Sequence, residues 1–320
     1  MFTKPIEETI EYLKQRALDF GRGCDKAYVS LSGGVDSAVV VAILCEAYGC
    51  DRVVAMFRDI KNDPKHLVDV RELQQVLGFR LIVIDANPLY EEFLRQCQQQ
   101  FGQDWVEEGT QEAGVTGWES AYGSLKSRFT TPFAGFIAKA VDGGRGRIFG
   151  TGNAEEDILL RYFDKFGDGA VDNNILAGLT KMEVRQIALW FGQKYKATVF
   201  RKIAEKIPSA DLKANGDEHN DEAELNAWAK NMGFAIQLSY GSLEKEGNIA
   251  WLVKEDLDQG IVTGEKAGWG ERQLRELLGY TKDEIQLVQF VRIIERSTRH
   301  KQLSIPGVTR LELRRLGLVD

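Results

Sequence analysis

The chain has 320 residues, 43% hydrophobic and 28% charged, with a net charge of −7 at pH 7. This is an ordinary globular composition, and the acidic balance argues against broad binding of nucleic acid or other polyanions. Cys24, Cys45, Cys50 and Cys97 form no Cys-x-x-Cys pair and no Cys/His cluster, which leaves no spacing for zinc or iron–sulfur ligation and reads as free thiols in a reducing compartment. Met1-Phe2-Thr3-Lys4-Pro5 does not read as a signal peptide, and no apolar run approaches membrane length, so the expectation is a cytoplasmic protein with no membrane partner.

At this length a single large α/β unit is the default. Thr3 and Pro5 start a helix whose apolar stripe (Ile6, Ile10, Leu13, Leu18, Phe20) runs to Gly21. Ala27-Tyr28-Val29 ends a buried strand, and Ala38 to Tyr48 is apolar enough for a buried helix. Arg52–Phe57 predicts a second strand, Lys65–Leu77 an amphipathic helix stopped by Gly78, Phe79–Asp85 a third strand and Pro88–Phe101 another helix. Residues 102–120, with four glycines and many acids, predict a loop or lid. Leu125–Val141 is helical in pattern but interrupted by Pro132; Arg147–Gly150 is a fourth strand after a glycine turn at 143–146. Thr180-Lys181-Met182-Glu183 is a capping box opening a helix to about Gly192. Helices are expected over 221–231, in part of 242–265, over 272–278 and over 281–298, with a polar tail at 311–320. The alternation of strands and helices argues a doubly wound parallel sheet flanked by helices, with a helical C-terminal extension. The chain is read as one domain, 1–320, divided into a nucleotide-binding core (1–212) and an extension (213–320) that contributes to the substrate site.

Chemistry concentrates first in Ser30-Leu31-Ser32-Gly33-Gly34-Val35-Asp36-Ser37, a turn between strand and helix. Backbone N–H groups and the positive end of a helix dipole meet there and suit a phosphate or pyrophosphate. Adjacent glycines allow close approach, serines add donors, and Asp36 offers a carboxylate for Mg²⁺. Neither Gly-x-x-x-x-Gly-Lys-Ser/Thr nor Gly-x-Gly-x-x-Gly follows this strand, so the kinase, GTPase and dinucleotide-fold loops are excluded. Ser-Gly-Gly-Val-Asp-Ser instead resembles the pyrophosphate loop of the ATP-pyrophosphatase superfamily, whose members cleave ATP to AMP and pyrophosphate while adenylating a substrate.

A second cluster follows the fourth strand: Gly150-Thr151-Gly152-Asn153-Ala154-Glu155-Glu156-Asp157, ending at Phe166-Gly167-Asp168-Gly169-Ala170-Val171-Asp172. Small-residue turns at the carboxyl ends of parallel strands bind ligands. Glu156 can complete a Mg²⁺ site with Asp36, and Asp168 can orient or deprotonate an amine nucleophile. With Tyr162-Phe163-x-Lys165 and Pro208-Ser209-Ala210-Asp211-Leu212 these blocks stand in an order that resembles the ammonia-dependent NAD synthetase family, from about residue 28 to 306. Asp221-Glu222-x-Glu224-Leu225 and His300-Lys301 fit as well.

The resemblance implies an adenine nucleotide alpha-hydrolase-like fold and an ATP-dependent amide ligase. The carboxylate of nicotinic acid adenine dinucleotide (deamido-NAD) attacks ATP, pyrophosphate leaves, and ammonia displaces AMP to give NAD. It implies that Ser30, Ser32, Gly33, Gly34, Val35 and Ser37 bind ATP with Met56, Thr151, Lys181 and Ser209. Asp36 and Glu156 are implied as Mg²⁺ ligands, Asp36, Asp168 and Lys181 as the catalytic set, and Arg128, Lys165, Asp168, Asp172, His300 and Lys301 as the acyl-substrate contacts. It further implies a homodimer and small-molecule partners only: ATP, ammonia and the acid. No glutaminase module precedes the loop. The family's Asn-x-x-x-Arg-x-Arg-Met stretch is reduced here to Ser124-Leu125-Lys126-Ser127-Arg128-Phe129-Thr130-Thr131, where only Arg128 survives. The same chemistry on nicotinic acid mononucleotide, or on another carboxylate, therefore stands as the alternative. A tRNA-thiolating or guanylate-forming enzyme would want a basic surface, catalytic cysteines or a glutaminase domain; a non-enzymatic nucleotide binder would dispense with Asp36, Glu156 and Lys181.

Overall fold

The computed structural model describes residues 2–110, 117–141, 145–209, 220–240, 248–301 and 307–320. Among them, β1 (Ala27–Ser30), β2 (Val53–Asp59), β3 (Arg80–Asp85), β4 (Arg147–Gly150) and β5 (Asn173–Asn174) form a parallel sheet in the order β3-β2-β1-β4-β5. The strand order reverses at β1, between β2 and β4, which opens a crevice at the carboxyl ends of those strands. The central strands are apolar on both faces. Ala27, Val29, Val53, Ala55 and Phe57 join one core, and Tyr28, Val54 and Met56 pack with Ala134, Ile137 and Ala138 on the other side.

Helix α1 (Ile6–Phe20) precedes the sheet, and α2 (Val35–Tyr48) leaves β1 at the glycine turn. Ala38 to Leu44 are all 0% exposed, because α2 is covered by the sheet, α1, α7 (Lys181–Lys194) and α8 (Thr198–Ala204). Each buried Val, Ile or Leu there contributes about 1.5–3 kcal/mol. Helix α3 (Pro64–Leu77) begins with Asp63 accepting from the Lys65 N–H at 2.9 Å and ends at Gly78 with φ 85°, the left-handed cap that glycine tolerates. After α4 (Asn87–Phe101), the expected single helix at 125–141 is two: α5 (Trp118–Arg128) and α6 (Thr130–Val141). Pro132 sits in the first turn of α6, where its missing N–H costs nothing. Part of the expected loop at 102–120 is packed: Phe101, Trp105, Trp118 and Tyr122 form an edge-on aromatic cluster.

A second core gathers a π-helical turn (Glu155–Leu160), α9 (Asp221–Asn231), α10 (Asn248–Gln259), α11 (Glu271–Leu278) and α12 (Lys282–Thr298). The expected polar tail is corrected by the structure. Helix α13 (Arg310–Arg315) returns to the first core, where Leu313, Leu318 and Val319 are buried; these three apolar residues among arginines decide its fate. Arg310 pairs with Glu183 through contacts of 2.7 and 3.1 Å, both side chains almost fully buried. Glu183 also accepts from the Thr180 N–H, closing the capping box of α7.

Removing one partner of such a buried pair strands a charge. Arg310→Met is therefore expected to lower the unfolding free energy by about 3–5 kcal/mol, read from the midpoint of chemical denaturation. A loss under about 1 kcal/mol would mean that Glu183 is adequately solvated without Arg310.

Candidate active site

The glycine turn fixes itself first. Ser37 Oγ donates to the Gly34 carbonyl at 3.1 Å and accepts from the Ser32 N–H at 3.2 Å, and the Gly34 N–H reaches Ser32 Oγ at 3.2 Å. Gly33 has φ 84°, and a Cβ there would meet the His66 backbone at 3.1 Å, so only glycine fits between the turn and α3. Gly34 is the N-cap of α2, and the first N–H groups of this buried helix lack intrahelical partners. Ser30 and Val35 flank the turn. Met56 lies deeper, packed beneath α6 as part of the sheet core, with its carbonyl accepting from the Leu31 N–H at 2.8 Å.

Three distant pieces of chain meet at the start of α2. Lys181 Nζ, from the first turn of α7, lies 2.6 Å from Asp36 Oδ2 and 2.7 Å from Glu156 Oε1. Asn153 Nδ2 donates to the other Asp36 oxygen at 3.1 Å. Glu156 reaches this point from the π-helical turn, whose extra residue per turn rotates successive side chains inward. Arg161 closes that turn at φ 47° and is held by Glu295 on α12. Burial pushes the Glu156 carboxyl up to about 7, with the Lys181 charge lowering it and Asp36 raising it. Burial also outweighs hydrogen bonding at Glu155, raised to about 8, although it accepts from the Lys181 N–H at 3.0 Å. Asp157 is raised to about 8 by burial and by Glu156, though Asn174 Nδ2 donates to it at 2.5 Å. Burial disfavours the charged Lys181, but Asp36 and Glu156 outweigh it and raise its pKa. Two carboxylates thus hold one ammonium, with Glu155 and Asp157 adjoining in the same turn, and the Tyr240 ring lies 5.4 Å from Lys181 Nζ. The pair of oxygens converging on one cationic point fits the donor set of Mg²⁺, which takes one or two carboxylates and completes its shell with phosphate and water. No group of three or more such ligands occurs among the described residues.

The proposed acyl side is assembled from 124–131, 161–172 and 300–301. Ser127 Oγ bonds Asp168 Oδ1 at 2.6 Å and accepts from its N–H at 3.0 Å. Arg128 Nε lies 2.9 Å from Asp164 Oδ1, and Ser124 also bonds Asp164. Thr131 Oγ1 donates to the carbonyls of Phe166 and Gly167, and a Cβ on Gly167 would strike the Ser127 backbone. Lys165 Nζ donates to the His300 carbonyl at 2.7 Å, and Lys301 Nζ to those of Phe163 and Arg161 at 2.8 and 3.2 Å. Burial lowers the Lys301 pKa, with Asp164 and Asp168 opposing it. Asp172 sits apart from this clasp, its carboxylate accepting from the Ile148 N–H at 2.7 Å along the sheet edge. Thr151 stands in the turn after β4, and Ser209 is exposed beyond α8; Ala210, Asp211 and Leu212 lie outside the described residues. Sequence reasoning missed Asn153, Tyr240, Lys206 and Asp69. Asn153 was legible as the polar member of the Gly-Thr-Gly-Asn turn; the others carry no local signal.

Glu155 gives a pH test. A carboxyl with a raised folded pKa contributes stability that is present below the unfolded value near 4.5 and is lost as pH rises toward 8. Wild type is therefore expected to lose thermal stability relative to Glu155→Gln between pH 5 and pH 8, measured without nucleotide. A pH-independent difference would place Glu155 in a solvated environment.

The family model described as NAD synthase matches residues 6–239. An NH(3)-dependent NAD(+) synthetase from Methanococcoides burtonii is 32% identical over 205 residues, 63% of this chain and 68% of that protein. One from Pyrobaculum aerophilum is 29% identical over 71% of this chain and 78% of its own length. Among solved structures, an NMN synthetase from Francisella tularensis superposes with a TM-score of 0.61 at 21% identity, covering 93% of this chain and 95% of that one. An NAD+ synthetase from Burkholderia pseudomallei gives 0.58 at 20%, covering 93% and 90%. These two likenesses establish the doubly wound fold. With a match across most of its length and these relatives, the chain belongs to the NAD synthase family.

Proposed function

We propose that the chain is an ammonia-dependent NAD⁺ synthetase that adenylates deamido-NAD and amidates it. The observation that carries this is the meeting of Asp36, Glu156 and Lys181 at the glycine turn. The substrate carboxylate attacks the α-phosphorus of ATP and the bond to the β-phosphate oxygen breaks, releasing pyrophosphate. Ammonia then adds to the acyl carbon and AMP leaves with the C–O electron pair. Charge develops on the leaving pyrophosphate, and preorganised donors there lower the barrier. Ser32, Gly33, Gly34, Val35 and Ser37 supply backbone and hydroxyl donors to it, with Ser30 and Met56 supporting the nucleotide from the adjoining strands. Thr151, Lys181 and Ser209 contact ATP, Lys181 turning its ammonium from the two carboxylates toward phosphate. Asp36 and Glu156 would hold Mg²⁺, which supplies neutralisation of the phosphate oxygens.

On the acyl side, Asp168 orients ammonia and accepts a proton as the amide forms. Arg128, Lys165, His300 and Lys301 form the acid's binding wall, with Asp172 at its margin on the sheet edge. The altered stretch 124–131 is not a loss of structure, because Ser124 and Ser127 dock it on Asp164 and Asp168. The dinucleotide acid is favoured over the mononucleotide. The curated relatives at 27–32% identity carry the NAD⁺ synthetase name, whereas the NMN synthetase likeness, at 21% identity, speaks for fold alone. Residues 1–320 act as one unit, with 213–320 completing the substrate side. No described helix is long and apolar enough to cross a membrane, in keeping with a cytoplasmic enzyme. A homodimer is in keeping with the exposed apolar side chains Val83, Leu89 and Phe136, the last 73% exposed. Sedimentation equilibrium is expected to give twice the chain mass, and a monomer at micromolar concentration would refute it.

With ATP, Mg²⁺ and an ammonium salt, the purified chain is expected to release pyrophosphate and form NAD only when deamido-NAD is present. Nicotinic acid mononucleotide is expected to give little or none. Asp36→Ala should lower turnover by about 10³-fold with an unchanged circular dichroism spectrum. Faster amidation of the mononucleotide would reverse the substrate assignment, and retained activity in Asp36→Ala would remove Asp36 from the metal site.

A further inference from the structure

We propose that Lys206 is a positioning residue of the glycine turn: it grips the Gly33 carbonyl from behind and so aims the Gly34 N–H at the pyrophosphate. The inference rests on the functional reading above, and on contacts that reading does not use. Lys206 follows α8, and its Nζ donates to the Gly33 carbonyl at 3.1 Å. The same ammonium lies 2.5 Å from Asp69 Oδ2 and 3.4 Å from His66 Nδ1, both on α3. Asp69 is 0% exposed. Burial pushes its carboxyl up, but Lys202 and Lys206 outweigh that and hold it below the ordinary range. Asp69 is therefore a fixed anion that sets where Lys206 Nζ sits. The backbone end is fixed as well, because Arg185 Nη2, one turn along α7 from Lys181, donates to the Lys206 carbonyl at 3.1 Å.

A trans peptide points its C=O and N–H in opposite directions. Holding the Gly33 oxygen toward Lys206 turns the Gly34 N–H the other way, toward Ser32 Oγ and the phosphate side of the turn. Two glycines in sequence would otherwise leave this peptide the least constrained in the turn. The ammonium also polarises the peptide and strengthens the donor on its far side. Lys206 thus acts on the leaving group through one backbone peptide, without touching it.

Lys202 provides the internal control. It shares Asp69, yet it is half exposed, and among the described residues no hydrogen bond or ion pair joins it to the turn. Titrating the nucleotide-free protein with inorganic pyrophosphate and Mg²⁺ by calorimetry, and measuring the KM of ATP and of the acid separately, tests the inference. Lys206→Met is expected to weaken pyrophosphate binding about tenfold and to lower kcat ten- to hundredfold, with the acid's KM unchanged. Lys206→Arg should restore part of both, and Lys202→Met should match wild type in each while losing similar thermal stability. If Lys206→Met does not fold, Lys206→Gln takes its place with the same expected direction. Equal pyrophosphate affinity in the Lys206 and Lys202 variants would overturn the inference. A wild type that neither binds pyrophosphate nor turns over would instead overturn the functional reading.

Discussion

One ammonium group organises the site. Lys181 Nζ sits between Asp36 and Glu156, and these three side chains come from α2, the π-helical turn and the start of α7. Each would be costly alone: a buried lysine loses hydration, and so does a buried carboxylate. Together they are stable only in one arrangement, so their pairing fixes how the turn after β1 meets the turn after β4. The lysine also stands in the first turn of a helix, where the dipole opposes it. Its position makes sense only because carboxylates hold it now and phosphate can hold it during reaction.

The charge balance has a direction. Glu155, Glu156 and Asp157 all have raised pKa values, and Lys181 alone cannot neutralise them with Asp36. Protons therefore carry part of the balance, and a cation could replace them, yet ATP is an anion. Under the proposed function the two requirements would be met together by a divalent ion arriving with the nucleotide, Asp36 and Glu156 holding the ion and Lys181 turning to phosphate oxygens. On that proposal, the carboxylates that are costly in the empty site would favour the metal–nucleotide pair over either component.

The parts of this arrangement legible in the sequence are those where local chemistry is unambiguous. The Ser-Gly-Gly-Val-Asp-Ser turn, the apolar run of α2 and the Thr180–Glu183 capping box each state their own structure. The period of Ile6 to Phe20 states α1. What escaped depends on tertiary partners. Residues 155–160 form a π-turn because Arg161 is pinned by Glu295, 134 residues away. The segment after 310 is polar on average, and only its packing of Leu313, Leu318 and Val319 on the sheet core makes it a helix of the fold. Asp69 looks like a solvated charge on an amphipathic helix and Lys206 like one in the turn beyond α8, and no spacing rule connects them.

The two clasps around the site differ in kind, and this bears on how the reaction is divided between them. Behind the glycine turn, Asp69, Lys206 and Arg185 tie α3 and α7 to the Gly33 carbonyl, and the turn leads directly into a helix whose residues 38–44 are wholly inaccessible. That side cannot move without opening the core, which suits a grip on a leaving group that must be ready before the bond breaks. On the acyl side the ties are ammonium-to-carbonyl and hydroxyl-to-carboxylate contacts that join the segment 163–168 to α5 and to the turn at 299–301: Lys165 to His300, Lys301 to Phe163 and Ser127 to Asp168. Each such bond, having a charged partner, contributes about 1.5–3 kcal/mol net, less than opening the core behind the turn would cost. A rigid phosphate side with a yielding acyl side suits a reaction in which the acid enters, is adenylated, exchanges its AMP for ammonia at the acyl carbon and leaves as the amide.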